Sequence, residues 1–437
     1  MLRPCIQALT WLVLAVAAQA ETRMTGDLPR RAALGFEAGE QGGALVVQRV
    51  DAGSAAAAAG VAVGDQLLAV EGRPVGKPHL GEDLLRRLRG GARVALALRR
   101  GERRLELAFT PEPLGLEALD GVESVYGELR TPDGARLRSI LTRPSGSGGR
   151  LPAIFLTQWV SCDSVEILDR SPFAEVLRGL ATSSGAVMIR VERSSGGDSV
   201  GPGCHELDHD TELAHYAHAF EVLTRHPWVD PARVVIFGMS LGSASAPLLA
   251  RGRPVAGVVV SGGGALTYYE RMLGFERGLA KPEELDGLMR GSAELHAEYL
   301  LRGRSPDLIR ADRPELAELW TRIRGTGEGV HYGRPYSWHQ QLAARDLAAA
   351  WAALDAPALV VYGEYDQFEA PAAHQAIGRI VNRVRPGRAR VLEVPRLGHD
   401  YRVYATPEDA VAWRGGHAAP GLVVAPILEW LRETALR

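Results

Sequence analysis

The chain has almost no net charge: 50 Lys and Arg stand against 52 Asp and Glu, a formal −2 at pH 7. That balance removes the electrostatic reason to expect nucleic acid or an anionic surface as a partner. Cysteine is nearly absent, with 3 in 437 residues. Beyond residue 20 no segment is apolar enough to span a membrane, which excludes a span in the mature chain. What is there is ordinary: 46% hydrophobic and 23% charged residues are the balance of a soluble globular protein, neither disordered nor embedded in lipid. The length exceeds one usual core and suits two domains.

The chain opens with Met1-Leu2-Arg3, continues with an apolar run from Ile6 to Ala18 broken by Gln7 and Thr10, and reaches Ala18-Gln19-Ala20. These are the basic, apolar and small-x-small regions of a secretory signal peptide over residues 1–20, with cleavage expected before Glu21. The expected location is therefore the periplasm or the outside of the cell. Cys5 would leave with that segment. The remaining pair, Cys162 and Cys204, suggests one disulfide in an exported protein.

From about Leu28 to Pro111 short apolar runs alternate with glycine turns, at Ala44 to Val47, Gln66 to Val70, Arg93 to Leu98 and Arg104 to Phe109. They read as strands, with one helix at about Gly81 to Arg89. The stretch Ala58-Ala59-Gly60-Val61-Ala62-Val63-Gly64-Asp65-Gln66-Leu67-Leu68-Ala69-Val70-Glu71-Gly72 resembles the PDZ family, in particular the type found in bacterial envelope proteases. The resemblance implies a small, mainly β PDZ domain over residues 28–112. It makes Leu34-Gly35-Phe36 the carboxylate-binding loop, whose backbone N–H groups would receive the C-terminus of a protein partner added as a strand.

Pro111-Glu112-Pro113 punctuates the boundary. Val122 to Leu129 and Ala135 to Leu141 then read as strands joined by the turn Thr131-Pro132-Asp133-Gly134. Further strands are expected at Leu151 to Leu156, Ala186 to Val191, Arg233 to Phe237, Gly257 to Val260, Ala358 to Tyr362 and Ala389 to Val394, with helices at about Leu207 to Arg225 and from Leu241. The alternation predicts an α/β fold with a mostly parallel sheet covered on both faces. A helix-rich, charged stretch over about residues 265–341 reads as an inserted cap.

Two stretches fit G-x-S-x-G: Gly238-Met239-Ser240-Leu241-Gly242 and Gly197-Asp198-Ser199-Val200-Gly201. Only Ser240 follows an apolar strand and precedes a helix, the context that strains a nucleophilic serine into exposure. Ser199 lies among glycines with no helix beginning there and reads as a loop serine. A serine hydroxyl needs a base that is itself oriented by an acid. Asp366 follows the strand ending at Tyr362-Gly363, with Glu364 as a rival, and His399 follows the strand ending at Val394. Over about residues 120–437 the chain thus resembles the α/β-hydrolase superfamily, in the nucleophile, acid, base order Ser240, Asp366, His399. The resemblance implies an acyl-transfer mechanism needing no cofactor and no metal. It implies oxyanion donors at the Leu241 N–H and, by position after the third strand, the Trp159 N–H. It also puts Cys162 and Cys204 at one rim near the site, in favour of their disulfide. His205 and His209, one helical turn apart, read as a polar helix start and not as a metal site.

The expected activity is hydrolysis of a small-molecule ester or related acyl bond, with the PDZ domain tethering a peptide or protein. The alternatives are a peptidase of the prolyl-oligopeptidase type, or a PDZ binding protein with an inert hydrolase domain. N-terminal sequencing of exported material should begin at Glu21; material that retains Met1 refutes the leader.

Overall fold

The computed structural model describes residues 22–324 and 329–436; the expected leader, with Cys5 and the Glu21 cleavage point, lies outside them. The larger of two main sheets has nine strands. In spatial order they are Thr22–Met24, Val122–Arg130, Arg136–Pro144, Val187–Val191, Leu151–Thr157, Val229–Met239, Gly257–Ser261, Ala358–Gly363 and Ala389–Val394. Counted from Val122, the chain order across the sheet is 1-2-4-3-5-6-7-8, and only the second strand is antiparallel to the rest. This is the expected α/β-hydrolase fold.

Alternation along the central strand builds two cores. Val234 and Ile236 pack with Tyr216, Phe220 and Leu249 on one face. Val235 and Phe237 pack with Leu177, Leu180 and Ile427 on the other. A strand covered by helices on both sides has no solvent face, so it reads as an unbroken apolar run. Between Gly257–Ser261 and Ala358–Gly363 the chain forms a helical cap with its own core of Tyr299, Trp320, Trp338 and Leu342. A short hairpin, Val330–His331 with Arg334–Pro335, lies inside it.

The smaller sheet is antiparallel, in the order Phe36–Gln41, Ala44–Val50, Gln66–Val70, Val94–Arg100 and Arg103–Phe109, with Arg73–Pro74 beside Gln66–Val70. It closes over Phe36, Leu45, Val47, Leu67, Leu96 and Phe109. The helix covers Pro78–Arg86 and starts three residues before the expected Gly81, because proline is tolerated in a first helical turn, where its missing N–H has no intrahelical partner. Besides several two-residue strands, two strands were not expected. Phe36–Gln41 carries polar residues and is set by its hairpin with Ala44–Val50, whose connecting Gly42 and Gly43 both take positive φ (60° and 77°). Thr22–Met24 is too short for a pattern, and it pairs in parallel with Val122–Arg130 of the large sheet.

The two sheets are joined through buried charge. Asp198 has no exposed side-chain surface and accepts from Arg30 Nη1 at 3.0 Å and from Arg138 Nε at 3.0 Å. The Arg31 backbone N–H donates to it at 2.9 Å. Glu166 pairs with Arg30 and Arg31, each at 2.6 Å, and accepts from the Tyr126 hydroxyl at 2.7 Å. Ser199 belongs to this junction: its Oγ accepts from the Arg138 N–H at 2.9 Å, and Arg89 donates to its carbonyl at 3.0 Å. Nearby, Cys162 and Cys204 form the expected disulfide, with Cα atoms 5.9 Å apart, stitching the loops that follow two neighbouring strands.

Glu192 lies inside this charged layer, accepting from the Val165 N–H at 3.2 Å. Burial pushes its carboxyl from the ordinary 4.5 up to about 7, and the neighbouring Glu166 charge adds to the rise. The native state thus keeps a proton that the unfolded chain releases near 4.5. The stabilisation that follows is present in full below pH 4.5 and lost as pH rises through about 7. Glu192→Gln should flatten this dependence, removing up to about 3 kcal/mol of the difference in unfolding free energy between pH 5 and pH 8. Urea melts at the two pH values check this, and equal pH slopes in the two proteins refute it.

Candidate active site

The strand Val229–Met239 ends in a turn that holds Ser240 at φ +52°, a left-handed conformation that non-glycine residues rarely adopt. Close approach explains the flanking glycines. A Cβ on Gly238 would lie 2.7 Å from the Gly242 carbonyl oxygen, and one on Gly242 would lie 2.0 Å from the Thr157 oxygen. The helix Gly242–Ala250 can therefore start directly behind the serine, against the end of the strand Leu151–Thr157. The Ser240 N–H is fixed to the Ser261 carbonyl at 2.7 Å on the neighbouring strand.

The structure brings Ser240, Asp366 and His399 together from three strand ends. His399 Nε2 lies 2.9 Å from Ser240 Oγ, and His399 Nδ1 lies 3.0 and 2.9 Å from the two Asp366 carboxylate oxygens. The Phe368 and Glu369 N–H groups donate to Asp366 Oδ1 at 2.9 and 3.0 Å, fixing the carboxylate. Burial alone would raise the Asp366 carboxyl, but the His399 charge and hydrogen bond outweigh it and hold the carboxyl below the usual range. Glu364 instead accepts from the Arg396 N–H at 2.8 Å. Of the two carboxylates open on sequence, Asp366 is the one on the imidazole.

Leu241 and Trp159 both line the cavity over Ser240, and neither N–H has an acceptor among the described residues. The Gln158 N–H, next along the chain to Trp159, donates to the Tyr216 hydroxyl at 3.1 Å. A cavity of about 300 Å³ opens over Ser240 and His399. Its walls are largely apolar, from Trp159, Phe173, Met272, Phe368 and Trp413. Of the cap aromatics, Tyr268 and Tyr332 reach this cavity, while Trp320, Tyr336 and Trp338 fill the cap core.

The other residues singled out on sequence lie elsewhere. In the small domain Gly35 takes φ +73°, Phe36 is buried in the core and Leu34 is partly buried. They lead into Phe36–Gln41, the edge strand of the sheet, next to the helix Pro78–Arg86. His205 approaches Asp83 of that helix at 3.4 Å, whereas His209 packs on Trp338. The two histidines share no ligand site, and among the described residues no cluster of three or more His, Cys, Asp or Glu could hold a metal.

Residues 46–100 match the family model of the PDZ domain. That segment is a PDZ domain. No curated protein matches the chain. Among solved structures, DcsB in complex with its substrate analogue is 21% identical, with a TM-score of 0.46 over 72% of this chain and all of that one. The Pyrococcus furiosus esterase Pf2001 is 14% identical (TM-score 0.43, 71% of this chain, 91% of that one). The proline iminopeptidase of Mycobacterium smegmatis is 13% identical (TM-score 0.45, 70% and 98%). At these scores the fold of the larger domain stands on its own strand order.

Sequence reasoning missed several neighbours of the PDZ domain and of the Ser240 cavity. Arg30 and Arg31 precede the PDZ loop and carried no pattern. Glu369 lies three residues after Asp366 and is buried beside it, and His374 stacks on the Tyr362 ring at 4.4 Å behind the same carboxylate. Burial pushes the His374 imidazole down to about 4. The spacing Asp366, Glu369, Ala370, His374 at a helix start was the available signal.

Proposed function

We propose that this chain is an exported serine hydrolase that cleaves an ester or related acyl bond, with its PDZ domain capturing the free C-terminus of a peptide or protein. The observation that carries the reading is the unbroken hydrogen-bonded series from Asp366 through His399 to a serine held in strained backbone geometry at the wall of the cavity. In this mechanism His399 Nε2 takes the Ser240 proton as the oxygen attacks the carbonyl carbon. Asp366 keeps the other ring nitrogen protonated and stabilises the imidazolium. The free N–H groups of Leu241 and Trp159 receive the developing oxyanion. The imidazolium then protonates the leaving group, and water repeats the sequence in reverse roles to release the acyl group. Export is supported by the leader pattern and by the disulfide, which persists in oxidising compartments.

A fluorophosphonate probe, which reacts with a base-activated serine, should label Ser240 and should fail on Ser240→Ala and His399→Ala. Turnover of a short-chain aryl ester should fall by roughly 10⁴ or more in either variant, and by less in Asp366→Ala, because triad members act as a unit. A folded protein that takes no label favours the binding-protein reading, and an adduct at Ser199 would move the nucleophile.

For the PDZ domain, the full-length chain should bind peptides with a free C-terminal carboxylate more tightly than the same peptides amidated, measured by fluorescence anisotropy. Equal affinities, or none across a varied peptide library, would leave the domain as a packing element.

A further inference from the structure

Apart from Ser240 and His399, two charged residues break the apolar lining of the cavity: Asp400, held by the Tyr404 hydroxyl at 2.8 Å and by Arg402 at 3.4 Å, and Arg271. Arg271 stands on the cap helix Tyr268–Leu279, on the same face as Tyr268 and Met272, and all three line the cavity. Its side chain is only 10% exposed. Its ion-pair partner among the described residues is Glu369, 2% exposed, with Oε2 2.8 Å from Arg271 Nε. The two form a buried ion pair, and Glu369 Oε2 takes no other donor. No hydrogen bond to a described residue occupies the remaining guanidinium N–H groups. Burial pushes the Glu369 carboxyl up, with the Arg271 charge acting against the rise, so the carboxylate is a reluctant counter-ion.

A guanidinium placed in this way decides what can fill the cavity. A substrate that fills the cavity without offering an acceptor leaves these donors dry and unpaired, which is the discrimination a polar group in an apolar pocket makes best. The planar fork matches a carboxylate. The relay fixes which end of the substrate meets it. His399 must protonate the leaving group, which therefore lies along Phe368, Asp400 and Trp413; Phe368 is 4.9 Å from the imidazole and 5.9 Å from Trp413, ring to ring. The acyl portion is left with the cap wall of Tyr268, Arg271 and Met272.

We propose that Arg271 is an anion subsite for the acyl chain, so that the preferred substrates are esters of dicarboxylic acids or other acyl groups with a remote carboxylate. The proposal rests on the serine-hydrolase reading. It goes beyond it in naming the acyl class.

The test compares kcat/KM of the full-length protein for three 4-nitrophenyl esters, corrected for spontaneous hydrolysis: the hexanoate, the adipate half-ester and its neutral terminal amide. The half-ester should exceed both neutral esters by about tenfold or more, the size of one charge-assisted hydrogen bond. In Arg271→Met/Glu369→Gln, which leaves neither member of the pair buried alone, the acid-to-neutral ratio should fall by about the same factor. Arg271→Lys, which keeps the charge, should retain part of the preference. Hexanoate turnover with Ser240 labelling but no preference for the half-ester overturns the subsite and leaves the hydrolase reading intact. An amide as good as the acid, or a ratio unchanged in the double variant, also overturns it. Absence of both turnover and a Ser240 adduct overturns the two together.

Discussion

The molecule depends on a carboxylate that never meets water. Asp198 lies between Arg30, at the start of the PDZ domain, and Arg138, in the second strand of the hydrolase sheet, and a backbone N–H completes its shell. A buried ion pair of this kind adds little net stability over an apolar contact, but removing one partner strands the other charge at a cost of about 3–5 kcal/mol. Its effect is therefore on specificity of arrangement: one docking geometry satisfies every charge. The same loop supplies Ser199 to Arg138 and ends at the disulfide, so the junction of the domains and the covalent link to Cys162 share one length of chain.

The other organising constraint is steric. The sheet delivers Ser240, Asp366 and His399 from the carboxyl ends of three parallel strands; of the three only Ser240 itself takes a positive φ, although Arg396 and Tyr401 in the loop around His399 also do, each at +58°. Both glycines flanking the serine are required by what stands opposite, a carbonyl in each case. Asp366 itself needs no strain, since the backbone N–H groups of Phe368 and Glu369, just ahead of the helix Pro371–Val384, hold it. The cap supplies the roof, and its core is separate from the two cores of the sheet.

Much of this was legible because buried parallel strands are long apolar runs. Val234 to Phe237 and Ala358 to Tyr362 announced themselves, and each ended at a residue that the structure places at the cavity or beside it. The choice between Ser240 and Ser199 was legible from context, since only one is followed by a helix. What could not be read were interactions between residues far apart in sequence and weak in pattern. Thr22–Met24 is a strand only because Val122–Arg130 offers it an edge. Arg30 and Arg271 look like surface arginines until their burial and neighbours are known. Phe36–Gln41 was hidden by its own polar residues, although the Gly42-Gly43 pair behind it was a hairpin signal.

The pairing of Thr22–Met24 with Val122–Arg130 bears on how the PDZ domain is attached. The chain leaves the large sheet at Met24, builds the PDZ domain, and returns to the same sheet at Val122. The domain is thus spliced into the larger domain, held by two short tethers that end on adjacent strands. If the Asp198 contacts open, the domain cannot diffuse away, and the tethers keep its arginines at a high effective concentration opposite their carboxylates. Undocking becomes a local, reversible breathing of one surface, repaired within the same molecule whatever the protein concentration.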